Sequence, residues 1–257
     1  MDACLRLLGK ELKLMKGWML GSIAILVTVG LLGAWSAYQK PIGLISLLMI
    51  VILFIHVFYV PAYLWISLSK EWKGTYLNWL QFPQSGWTLL ATKMLSAVIS
   101  LCISYAIAYA FFFGIGHLDL NNTHLPAQLV DPNGFDPSVN IRYMQGSFLS
   151  VFSMVLYMSL SLGVWILLLN ITIQAVRRKL QKFSGFVTFV LFTFLFWAEL
   201  TFSGTKMYSA LTKWGAFSGD SVWAHLQMHA GEIVFGLLEM AVFFFVAGWL
   251  LDRKVEV

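Results

Sequence analysis

The chain has 257 residues, 59% of them hydrophobic and 11% charged, with a formal net charge of +5. So few charged residues cannot coat a soluble core of this size, which excludes a water-soluble domain and points to a membrane protein of several spans. The positive surplus reads as basic residues gathered on the cytoplasmic side of a membrane, with no nucleic-acid partner.

In chain order, residues 1–16 come first. Cys4, Leu5, Leu8, Leu12 and Met15 share one helical stripe, with Arg6, Lys10 and Lys13 off it. This predicts a helix lying on an anionic inner leaflet. Six apolar runs follow, at 18–38, 42–68, 89–116, 148–173, 183–202 and 231–251. Each reaches the roughly 20 residues needed to cross a hydrocarbon core as a helix. Helices satisfy their own backbone groups, and no run alternates like a barrel strand. The fold expected is an all-α integral membrane domain of six transmembrane helices in one unit. Ala34-Trp35-Ser36 has some likeness to a signal-peptide cleavage site. A Trp in that site and the long apolar run instead favour a retained first span. Cys4 and Cys102 lie in unlike segments and predict no disulfide.

The basic residues set the direction. Of the seventeen Lys and Arg, all but Lys40, Arg142, Lys206 and Lys213 fall in segments that are cytoplasmic if the N-terminus is inside. Both termini are therefore expected inside. Segment 117–147 carries Asn121-Asn122, Pro126, Asp131-Pro132-Asn133-Gly134 and Asp136-Pro137. That is the chemistry of an irregular outer loop. Segment 203–230 mixes Tyr208, Leu211, Trp214, Phe217 and Trp223 with polar residues, so short outer re-entrant helices dipping into the interface are expected.

The stretch from Glu71 to Lys93 is the most distinctive. Trp72, Tyr76, Trp79 and Leu80 recur at helical spacing and make one aromatic face. Lys70, Lys73 and Gln81 lie on other faces. Pro83 stops the helix, and Ser85 can cap the next one, which runs through Lys93 into the third span. The expectation is a short cytoplasmic helix over 69–86, parallel to the membrane, then a corner.

Glu71, Gly74-Thr75, Leu77, Leu80, Pro83, Ser85, Trp87, Leu90 and Lys93 resemble the signature after the second span of ABC-2 type transporter permeases. That signature reads E–x–x–G–T, then leucines, then P–x–S–R, then K. Here Gly86 stands in place of the frequent basic residue and Trp79 interrupts the leucines. The layout of the whole chain is similar as well. The resemblance implies a bacterial exporter of the cytoplasmic membrane, with the helix between spans two and three docked on an ABC ATPase subunit. It implies that Glu71, Trp72, Lys73, Gly74, Thr75, Tyr76, Leu77, Trp79, Leu80 and Pro83 form the docking surface. It also implies two ATPase copies and a second permease chain, identical or homologous.

No G-x-x-x-x-G-K-[ST], G-x-S-x-G or H-E-x-x-H motif occurs. ATP and Mg are therefore expected only in the partner subunit, with no cofactor on this chain. Among groups at membrane depth, His56 and Glu239 sit near the middles of the second and sixth runs, and Glu199 near the outer end of the fifth. Each is a candidate for a substrate path or an interhelical polar contact, and His56 and Glu239 could pair. His225, His229 and Glu232 are spaced to share a helical face, as metal ligands would, but no metal-site motif accompanies them. The favoured cargo is an amphipathic peptide, with lipid or hydrophobic antibiotic as alternatives. An intramembrane metal enzyme and an anchor or sensor recruiting a cytoplasmic ATPase are readings from other classes.

Overall fold

Long apolar runs have to close their backbone hydrogen bonds locally, so the chain folds as helices. The structure, a computed structural model, describes residues 2–39, 44–74, 85–122, 146–217 and 227–255. Helix α1 spans Asp2–Gln39. Helices α2 (Leu44–Ile55) and α3 (Tyr59–Gly74) are joined by a 3₁₀ turn, His56–Phe58. Helix α4 is Gly86–Asn122 and α5 is Phe148–Leu180. Then come α6 (Ser184–Ser203), the short α7 (Lys206–Thr212) and α8 (Ala230–Leu250), which ends in a π turn, Leu251–Val255. Among the described residues, six helical segments are long and apolar enough to cross a membrane, as in a multi-pass membrane protein.

One end of the bundle gathers the start of α1, the end of α3, the start of α4 and the ends of α5 and α8. It is called the basic end below. Two apolar clusters fill the interior. One, around Met15, Tyr63, Leu64, Leu90, Leu101 and Leu167, lies towards the basic end. The other, around Leu26, Met49, Leu53, Tyr105, Phe112 and Val155, lies towards the opposite end. Helix α6 is covered on one side only. Its Phe186, Phe189, Phe194 and Trp197 face outward, as suits a helix bathed in hydrocarbon.

The break between α2 and α3 has a definite cause. Pro61 lacks an N–H and disturbs the turn before it. The Ser159 hydroxyl of α5 enters the gap. It accepts from Val60 N–H at 3.2 Å and donates to His56 C=O at 3.3 Å. Those two backbone groups would otherwise bond each other, so the hydroxyl is interposed in the helical ladder. One turn on, Gly163 has no Cβ to collide with Val60, and α5 packs tightly there.

Several expectations change. Residues 1–16 do not form a separate helix, because α1 runs unbroken through Gly17. Its buried stripe is Leu7, Glu11, Met15, Leu26 and Ala37, and Leu5 is exposed. The physical reason is that one face of α1 packs on α4 at Glu11, Met19, Gly30 and Gly33, so the first residues share the span's inward face. Glu71 to Gly74 likewise continue α3 and do not begin a new helix. Thr75, Tyr76, Leu77, Trp79, Leu80 and Pro83 lie outside the described residues, as do 123–145 and 218–226. Helix α4 extends to Asn122, past the expected end at Gly116. Between α6 and α8 the described residues contain one short helix, capped by Thr205, which accepts from Tyr208 N–H at 3.2 Å.

Candidate functional site

The basic end holds a buried charge cluster built from three helices. Lys93 of α4 is fully buried, and Glu11 of α1 and Glu71 of α3 are 3% and 1% exposed. Lys93 Nζ donates to both oxygens of Glu11 at 2.9 Å and to Ser67 Oγ at 2.9 Å. Ser67 Oγ in turn donates to Glu11 Oε2 at 3.3 Å. Glu71 Oε1 meets the same ammonium at 3.2 Å as an ion pair, without the geometry of a directed hydrogen bond. Lys10 adds further attraction at Glu71. A buried ammonium is tolerable only when paired and hydrogen-bonded, and this one is saturated by two carboxylates and a hydroxyl.

Glu71 and Lys93 are the first and last charged residues of the signature-like stretch, and here they touch. One ammonium thus ties the end of α3 to the start of α4, and both to α1. Next to Glu71, Trp72 is half-buried and donates from Nε1 to Asn170 Oδ1 of α5 at 2.8 Å. Both residues therefore point into the bundle. This corrects their expected place on an exposed docking face. They are buried because α3 does not stop before them, so its inward stripe carries them inside. The side chains of Lys73 and Gly74 and all of Thr75–Pro83 fall outside the described residues.

His56 sits at the 3₁₀ turn, 6% exposed. Its Nδ1 is 2.8 Å from Ile52 O and its Nε2 3.1 Å from Ser104 Oγ. A carbonyl only accepts, so Nδ1 carries the proton, and in the neutral ring Nε2 accepts from Ser104. Tyr59 stacks on the ring at 6.1 Å, and Tyr105 meets it edge-on at 5.6 Å. The structure does not pair His56 with Glu239: His56 faces α4, whereas Glu239 faces α5 and α6. An apolar crevice of about 380 Å³ opens beside His56, between α1 and the α2–α3 span, with Trp18, Ile25, Val29 and Phe58 in its walls.

Glu199 and Glu239 do come together, at the opposite end. They line a cavity of about 220 Å³ with Glu232, Tyr157, Ser161, Ser203 and Tyr208. Phe202, Tyr208 and Phe235 form an aromatic wall, with ring centroids 5.3 to 6.0 Å apart. Among the described residues that line it there is no Lys, Arg or His. Glu232 is occupied: its Oε2 accepts from His229 N–H at 2.9 Å and closes the start of α8. His229 and Glu232 thus serve as a helix cap, and His225 lies outside the described residues. No group of three possible metal ligands occurs among the described residues.

No family model matches the chain, and neither a curated protein nor a solved structure was found to be similar to it. The geometry therefore carries the functional argument. Sequence reasoning missed Glu11, Asn170 and Ser159. Glu11 had a readable signal, since an acid between Leu7 and Met15 at i, i+4 spacing interrupts an apolar stripe. Ser159 and Asn170 had none, because a hydroxyl or amide in an apolar run looks the same whichever neighbour it meets.

Proposed function

We propose that the chain is a permease subunit of an ATP-driven exporter of the ABC-2 type in a bacterial cytoplasmic membrane. The observation that carries this reading is the Glu71–Lys93 contact within the Glu11 cluster. It ties the end of α3 to the start of α4, the two helices that flank 75–84 in the sequence, through buried charge. Helices tied in that way move together when a partner moves them. The likeness of Glu71–Lys93 to the permease signature supports the same reading. The partner is an ABC ATPase, two copies per complex, holding ATP and Mg, and it grips 75–84 from the cytoplasm. A second permease chain completes the path. This chain performs no chemistry on its cargo.

The cargo is amphipathic. An apolar crevice beside His56 suits its greasy part, and the carboxylate- and hydroxyl-lined cavity suits an amine-bearing part. A cationic amphipathic peptide satisfies both. The decisive experiment is co-purification of the chain with the ATP-binding protein encoded beside it, followed by ATPase assays with and without cationic amphipathic peptides. A stable complex with peptide-stimulated hydrolysis is expected. Failure of any ATP-binding protein to bind the unmodified chain defeats the proposal.

A further inference from the structure

The start of α4, immediately after 75–84, is held by the far end of the chain. An α-helix leaves its first N–H groups without helical partners. Ser85 Oγ takes the Thr88 N–H at 3.4 Å, and Ser85 C=O takes that of Leu89 at 3.2 Å. The Gly86 N–H goes elsewhere: it donates to Oδ1 of Asp252, in the π turn that ends α8. The first turn of α4 has no acid of its own. Asp252 supplies the negative charge that a helix N-terminus favours, from 166 residues away.

The neighbouring contacts are as specific. Trp87 Nε1 donates to Phe245 C=O at 3.2 Å, and the two rings stack at 5.4 Å. The Trp87 ring lies on Gly248 so closely that a Cβ there would collide with it. A Cβ on Gly86 would stand 2.5 Å from Asp252 Oδ1 and 3.0 Å from Leu251. Gly86 is the position where the permease signature carries a basic residue. Gly86 carries no side chain, and Asp252 lies in the space one would need.

We propose that Asp252, Gly248 and Trp87 form a clasp that makes the basic end of α8 move with the start of α4. Displacement of the start of α4 then reaches the acid-lined cavity along α8. The same helix carries Glu239 about 13 Å and Glu232 about 24 Å beyond Gly248, at 1.5 Å per residue. Asp252 is a positioning residue here and touches no cargo. The clasp rests on reading 75–84 as a handle, yet its test needs only the chain itself in lipid nanodiscs.

Two measurements decide it, in a Cys4→Ser, Cys102→Ser background. The first is amide exchange over 85–90. The second is the rate at which a maleimide labels a Ser161→Cys reporter in the cavity wall. Asp252→Ala is expected to speed exchange at Gly86 and Trp87 and to change the labelling rate by about fivefold or more. Asp252→Asn, which keeps a capping oxygen, is expected to restore both. Gly248→Ala should act like Asp252→Ala, and if it does not fold the Asp252 pair still decides. Unchanged exchange in Asp252→Ala overturns the clasp. Faster exchange with labelling unchanged overturns its link to the cavity. Absence of any ATP-binding partner defeats the proposed function, while the labelling result stands independently.

Discussion

The two ends of the bundle treat carboxylates in opposite ways. At the basic end, Glu11 and Glu71 share one buried ammonium, and Ser67 bridges it to Glu11. At the opposite end, Glu199 and Glu239 face a cavity whose described lining holds no basic group. The first arrangement is closed, and anything removed from it leaves a charge stranded. The second is open, and a cation entering it would complete it. Charge at the basic end therefore holds helices together, while under the proposed function the cavity acids are the ones left to receive a cation.

Breaking the closed end should have the largest effect. Lys93→Met leaves two buried carboxylates facing each other and is expected to cost about 3–5 kcal/mol of stability. Thermal unfolding in detergent measures it. Replacing all three charges, Glu11→Met, Glu71→Met and Lys93→Met together, should recover most of that loss, because no unpaired charge remains. A triple variant as unstable as Lys93→Met would show that the cluster is not a simple charge account.

A smaller effect is expected at the rim of the same end. Trp72→Phe keeps the ring but strands the buried Asn170 amide, at a cost of about 1–2 kcal/mol. If Trp72 were instead an exposed docking residue, stability would not change and only partner binding would fall. In the middle of the bundle, Ser159→Ala removes the hydroxyl between His56 and Val60. About 0.6 kcal/mol is expected, the usual size of an intramembrane polar contact.

The open end should show the smallest change in stability. Glu239→Gln is expected to stay within about 0.5 kcal/mol of the parent in the same unfolding assay. Its effect should appear in peptide-stimulated ATPase, which should fall. A large loss of stability with stimulation intact would erase the contrast between the ends.

Much of the architecture was readable in advance. The six apolar runs match six helices, and Ser85 caps α4 where turn chemistry placed it. The local stripe of 1–16 was misleading. The stripe of Leu5, Leu8, Leu12 and Met15 suggested a separate surface helix, yet Met15 is buried, Leu8 and Leu12 are half-buried, and Leu7 and Glu11 join them inside while Leu5 stays exposed. Glu71 and Trp72 were assigned to a separate helix because aromatic spacing does not tell where a span stops. The cavity was only half legible. Glu199 and Glu239 stood out as acids in apolar runs, but nothing in their spacing showed that they would line one cavity, away from His56.

By itself, then, the sequence determined the helical class, the number of apolar runs and the turns between them. These follow from hydrophobic length, proline and capping groups, all of which act within a few residues. Only the tertiary structure decided that Lys93 joins Glu11 to Glu71, that Ser159 mends the break at His56, and that Asp252 caps a helix begun at Gly86. Each of these joins residues far apart in the chain. Which face of a helix meets which neighbour depends on the packing of the whole bundle, and no local pattern encodes that choice.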